Sequence, residues 1–152
     1  LSATIFVSNV SIIAIFAGIG MFFLSDWIVI IMLGEQWIAV IPIIQILAIS
    51  IPVQVVASTS GSFFQAMDKT GVLFLSGCLS AVVMILAIIM GVVKKDMLLI
   101  SWYLVIAMHI NFIQTYLLLY IKVFNKSPIA FLMKMLPVFA TSIAMSIFTL
   151  KA

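Results

Sequence analysis

Apolar residues run along this chain in long blocks separated by short polar breaks, with none of the strict alternation of a half-buried strand. A helix that crosses a bilayer needs about 20 mostly apolar residues. A charge at the bilayer centre costs about 3 kcal/mol or more, so charged positions mark the ends of spans. On this pattern five spans are predicted. The first covers residues 5–24 and ends at Ser25-Asp26, with residues 27–33 as a short apolar extension before the break Gly34-Glu35-Gln36. The second covers residues 38–67 and ends at Asp68-Lys69, the third covers 72–93 and ends at Lys94-Lys95-Asp96, and the fourth covers 98–121 and ends at Lys122. A fifth follows the turn Phe124-Asn125-Lys126-Ser127-Pro128 and reaches about residue 150.

The second span is longer than an untilted crossing requires, so its end near Asp68-Lys69 is expected at the aqueous boundary. Pro52 is predicted to bend it: the ring clashes with the carbonyl of Ala48, which must then find a hydroxyl or water. Pro42 sits near the start, where a missing N–H matters less. Trp27 and Trp37 flank the Gly34-Glu35-Gln36 break, as interfacial aromatic anchors do. Every loop is short, so successive helices are expected to be antiparallel neighbours. The predicted fold class is all-α, a polytopic transmembrane helical bundle of about five spans.

Composition reinforces this reading. Hydrophobic residues make up 66% of the chain, charged residues 7%, and mean hydropathy is +1.46, against about 45–50% apolar and about 25% charged in soluble domains. No single core could hide that much apolar surface, and the surplus is expected to face lipid. The net charge of +3 comes from lysine alone. Without arginine, nucleic-acid binding and bidentate phosphate recognition are not expected of this segment. The sole cysteine, Cys78, lies in an apolar run, which excludes an internal disulfide and predicts a buried structural thiol. The opening LSATIFVSNVSIIAIF has neither an initiating Met nor the basic and cleavage regions of a signal peptide, and the chain reads as part of something longer.

Polar side chains inside the spans carry the remaining signal. In the second span Ser50, Gln54, Ser58, Gly61, Ser62 and Gln65 recur at steps of three and four and share one face. Facing lipid would be costly, which leaves helix packing or the lining of a wet cavity. The first span has a weaker row of Thr4, Ser8, Ser11 and Gly18, with Asn9 beside it, expected to serve close packing. In the third, the pairs Ser76/Ser80, Gly77/Ala81 and Ala87/Gly91 permit close backbone approach. The fourth crowds His109, Asn111, Gln114, Thr115, Tyr116 and Tyr120 into its middle and later turns. There His109 is read either as an interhelical hydrogen-bonding group or as a proton relay. Possible cavity-lining residues are therefore Ser50, Gln54, Ser58, Ser62, Gln65, His109, Asn111 and Gln114. The four acids all lie near span ends, and no phosphate loop, metal-ligand cluster or nucleophile motif is present. Neither an enzyme nor a resident cofactor or metal is expected.

Three stretches, Leu33-Gly34-Glu35-Gln36-Trp37, Ile41-Pro42-Ile43-Ile44-Gln45-Ile46-Leu47-Ala48 and Ser60-Gly61-Ser62-Phe63-Phe64-Gln65-Ala66-Met67-Asp68-Lys69-Thr70, occur in this order. Together they resemble the C-terminal half of bacterial polysaccharide-biosynthesis flippases of the multidrug/oligosaccharidyl-lipid/polysaccharide exporter superfamily. That family has a Gly-Glu-x-Trp-like outer loop, then a Pro-containing helix, then an inner turn in which glycine precedes the basic residue; here Asp68 holds the glycine's place. The resemblance is firmest over residues 20–72. It implies that residues 1–152 form most of the second bundle of a two-bundle, alternating-access transporter in the bacterial inner membrane. Its implied partners are membrane lipid, a lipid-linked saccharide as substrate and the N-terminal bundle of the same protein. No substrate-binding residue carries over, because the cations with which relatives meet an anionic substrate have no counterpart here. The alternatives are a multidrug exporter of the same superfamily, a membrane-embedded polysaccharide polymerase or ligase, and a non-transporting scaffold.

Lys69, Lys122, Lys126 and Lys134 fall on one predicted side of the membrane and Lys94, Lys95 and Lys151 on the other, a narrow majority that puts the Asp68-Lys69 turn in the cytoplasm. In a Cys78→Ser background, cysteines at positions 35 and 68 are expected to react with membrane-impermeant maleimide from opposite sides. Labelling of both from one side would overturn the span assignment.

Overall fold

In the computed structural model, residues 2–124 and 136–151 are described. They form α1 (Ser2–Met32), a 3₁₀ turn (Glu35–Val40), α2 (Ile41–Ala48), α3 (Ile51–Ala66), α4 (Thr70–Lys94) and α5 (Met97–Leu118). A π-helical turn (Leu119–Phe124) extends α5, and α6 (Leu136–Lys151) closes the described chain. Among the described residues there is no strand, so the all-α expectation holds.

Three helical stretches are long and apolar enough to cross a membrane, Asn9–Met32, Thr70–Lys94 and Met97–Lys122, and a fourth is added if the bent pair of α2 and α3 counts as one span. The chain is a helical membrane protein. One span boundary differs from expectation. The first helix does not stop at Ser25-Asp26 but runs unbroken to Met32. Asp26 is exposed there, and Gln45 Nε2 of α2 donates to its Oδ1 at 3.5 Å, while the hydroxyl of Ser25, 3.3 Å from the same oxygen, gives its proton chiefly to Phe22 O at 2.8 Å. An exposed charge that finds a donor does not have to end a helix. The predicted fifth span begins in residues that lie outside those described; α6, at 16 residues, is its described part.

The bend predicted for the second span is present: α2 and α3 meet at 52°. Pro52 occupies the first turn of α3, where the N–H it lacks has no helical acceptor to miss. The break falls on Ile49-Ser50, and side chains take up the loosened backbone groups. Ser50 donates to Leu47 O from both its N–H (3.0 Å) and its Oγ (2.7 Å), while Ser142 Oγ of α6 donates to Ile49 O at 3.1 Å. On the other side of the bend α1 presents Gly18, whose missing side chain makes room. A Cβ there would stand 2.8 Å from Pro52 Cγ and Cδ.

Two turns depend on residues in the left-handed region. Asp68, with φ 53°, ends α3: its N–H donates to Gln65 O (3.0 Å) and the next N–H, of Lys69, reaches back to Phe64 O (2.9 Å). This paired closure is the one usually made with glycine. Aspartate tolerates the conformation better than most residues. Lys95, with φ 54°, turns α4 into α5, and Asp96 Oδ1 caps the new helix by accepting from Leu98 N (2.8 Å) and Leu99 N (3.3 Å).

The core lies where α1, α3, α5 and α6 meet, around Ala14, Val53, Val56, Phe64, Phe112 and Val138. A second cluster of Phe22, Ile46, Ile49, Val105 and Met145 lies beside the bend. α4 stands outside both. Only Ser76, Ala87 and Gly91 of it are buried, and a Cβ on Gly91 would come within 2.9 Å of Ile100 Cα. Cys78 points away from this narrow seam and is exposed, contrary to the buried thiol expected. An apolar run on a membrane helix is hydrophobic on its lipid side as well as its packed side, so it does not imply burial in protein.

Restoring an N–H with Pro52→Ala is expected to reduce the 52° bend, read as a longer distance between spin labels at Ile43 and Ser62. Gly18→Leu, which must push the proline ring aside, is expected to cost about 1–3 kcal/mol in a detergent unfolding titration. An unchanged label distance in Pro52→Ala would show that the α1 and α6 contacts hold the bend without the proline.

Candidate functional site

The eight sequence candidates fall into three places. On α3 the buried side consists of Pro52, Val53, Val56, Ser60 and Phe64, which are turned toward the core. The opposite side carries Gln54, Ser58, Ser62 and Gln65, all exposed. Ser50, at the bend, is buried and links the stripe to the break: its Oγ accepts from Gln54 Nε2 at 2.8 Å. Ser58 Oγ donates to its own helix, at Val55 O (2.7 Å), so its lone pairs still face outward.

What surrounds this stripe gives it meaning. The outer faces of α1 and α4 expose large apolar side chains such as Ile13, Phe16, Ile31, Phe74 and Val93. Between Ile38 and Met67 no large apolar side chain is exposed. The exposed residues of the bent span between those two are therefore amides, hydroxyls and the small apolar Ala39, Pro42 and Ala66, while its neighbours present large hydrocarbon side chains to the bilayer. A face of this kind belongs against water or polar protein, since an amide without partners in hydrocarbon costs roughly 2–7 kcal/mol.

On α5 the candidates have a different role. Asn111 Nδ2 donates to Ser80 O (3.5 Å), Gln114 Nε2 to Ser76 O (3.4 Å), and Thr115 Oγ1 shares a 3.1 Å hydrogen bond with Ser76 Oγ. Asn111 and Gln114 thus serve the α4–α5 seam. The Oδ1 of Asn111 is buried there with no hydrogen-bond partner among the described residues. Tyr116 ties α5 to α3, donating to Val56 O at 2.9 Å and pairing with Thr59 Oγ1 at 3.0 Å.

His109 stands apart from both groups. Its Nδ1 lies 2.8 Å from Val105 O, which requires the proton on Nδ1 in the neutral ring. The ring lies 6.1 Å from that of Phe139, in a groove of about 260 Å³ between α5 and α6 that Trp102, Ser142 and Ser146 also line. His109 thus lies among different neighbours from the α3 stripe. Among the described residues no group of His, Cys, Asp and Glu is placed to hold a metal ion.

Three polar links escaped the sequence reading, Asp26 with Gln45, Thr59 with Tyr116 and Ser142 with the carbonyl of Ile49. None has a periodic signature, because each joins residues on different helices. Comparison of the chain with protein-family models, with curated proteins and with solved structures gives no match in any of the three.

Asn111→Leu is expected to change stability by less than about 1 kcal/mol, since its one bond is long, its Oδ1 is unpaired, and interhelical hydrogen bonds in membranes average about 0.6 kcal/mol. Tyr116→Phe removes a hydroxyl engaged by two groups and is expected to cost about 1 kcal/mol or more. Unfolding of the two variants in mixed micelles gives the comparison.

Proposed function

We propose that this chain is part of an alternating-access membrane transporter, a flippase for undecaprenyl-linked saccharides in the bacterial inner membrane, and that the α3 polar face borders the transport path. The observation that carries the reading is the contrast between α3, whose exposed residues are Gln54, Ser58, Ser62, Gln65 and the small Ala66, and α1 and α4, whose exposed faces are dense in large apolar side chains. The resemblance over residues 20–72 supplies the substrate class. Gln54 and Gln65 offer amide donors and acceptors, and Ser58 and Ser62 offer hydroxyls, a set suited to the many hydroxyls of a saccharide. No ionised residue lies within the stripe. The phosphates of such a substrate would be met by the N-terminal bundle that the resemblance implies.

The bend supports the same mechanism. Transporter sites are commonly built where a membrane helix is broken and its freed backbone groups are re-satisfied inside the protein. Here Ser50 sits at the break and holds Gln54, so reorientation of α3 against α2 would move the first amide of the stripe.

Gln54→Leu and Gln65→Leu are expected to leave membrane insertion intact and to lower saccharide export by the full-length protein about tenfold, the loss of roughly 1.4 kcal/mol of polar contact. Gln114→Leu, on the α4–α5 seam, is expected to leave export near the parental level. Export unaffected in both α3 variants would sink the transport-path assignment.

A further inference from the structure

We infer that the α4–α5 hairpin carries a binding site for an anionic phospholipid, with an acyl chain in the groove between the helices and the phosphate at Lys94 and Lys95. This site is separate from the α3 stripe and does not rest on the transport reading. The groove has a volume of about 410 Å³; Ala87 and Ala107 form its floor, and Val83, Leu86, Met90 and Tyr103 stand on its walls. Its depth follows from the seam. Because Gly91 lets Ile100 approach closely, the two helices are drawn together at their hairpin end. The small side chains at 87 and 107 then leave a trough that the larger residues on either side do not fill.

Charge decides the occupant. Val83, Ala87, Met90 and Lys94 follow one another at steps of four, three and four and so lie on one face of α4, which brings the trough out at Lys94 where the helix ends. Lys95, in the left-handed turn, adds a second ammonium. Asp96 is the one acid at this turn, and its Oδ1 is engaged by the N–H groups of Leu98 and Leu99. The mouth of an apolar trough therefore carries two cations and one carboxylate, a net positive charge whose anion faces the helix N-terminus that it caps, an arrangement that suits a hydrocarbon chain ending in a phosphate. Cations beside a membrane surface attract anionic lipid by a factor of about five each.

The test is native mass spectrometry of the full-length protein in detergent, with phosphatidylglycerol and phosphatidylcholine of identical acyl chains supplied in equal amounts. Preferential retention of phosphatidylglycerol is expected, falling about fivefold in Lys94→Gln, further in the Lys94→Gln/Lys95→Gln pair, and not in Lys69→Gln at the far end of α4. Ala87→Phe, which fills the trough, is expected to reduce retention of both lipids. Because that variant risks disturbing the seam, the surface lysine variants decide the question alone. Equal retention of the two lipids, an equal loss in Lys69→Gln, or a dimer mass abolished by Ala87→Phe would overturn the proposal, the last by assigning the trough to a second copy of the chain.

Discussion

Between Ile49 and Ser50 the polypeptide gives up regular helical hydrogen bonding in a part of the molecule where water is scarce. An unsatisfied backbone group in hydrocarbon costs several kcal/mol, so the break persists only because other groups supply what the helix does not. Ser50 doubles back onto Leu47 O, and Ser142 crosses from α6 to Ile49 O. Gly18 on α1 leaves space for the Pro52 ring. Three helices are thereby committed to one point. The order of the surrounding pieces follows: α1 runs alongside both halves of the bent span, α6 is pinned to the break by one hydroxyl, and the core clusters of apolar residues lie on either side of it.

Close approach elsewhere follows the same economy of side chains. Lipid is as apolar as leucine, so membrane helices gain little by burying hydrocarbon against each other and gain most where small residues let backbones come near. The α4–α5 seam shows this, with Ser76, Ala87 and Gly91 the buried residues of α4 and the rest of that helix given over to outward apolar chains. The seam also absorbs Asn111, Gln114 and Thr115. An apparently unusual cluster of polar residues on α5 is, in three dimensions, largely the means by which two helices are held in register.

Much was legible in the linear pattern. The long apolar blocks and their charged punctuation located α4 and α5 to within three residues at each end, because hydrocarbon thickness sets the length of a spanning helix and a charge without partners cannot enter it. Pro52 announced the bend, since the loss of an N–H and the clash of the ring are properties of the residue itself. The recurrence of Ser50, Gln54, Ser58, Ser62 and Gln65 at helical steps placed them on one face of α3, and the exposure of the last four follows that face.

Other features depended on what a residue meets across space. Asp26 ends no helix because it is exposed and Gln45 reaches it, and Gln45 comes from a helix whose position depends on the bend. Cys78 is exposed rather than buried because α4 packs along one narrow line, and hydropathy cannot distinguish a lipid-facing side from a protein-facing one. Periodicity likewise gave the polar residues of α3 and α5 equal standing as cavity candidates. Their separation into an outward stripe and an interhelical seam is tertiary, because an amide's role is decided by whether a neighbouring carbonyl stands within hydrogen-bond reach. The sequence by itself determined that this is a helical membrane protein with a broken span and a polar face; which polar groups pair within the protein and which remain outward was decided only when the helices met.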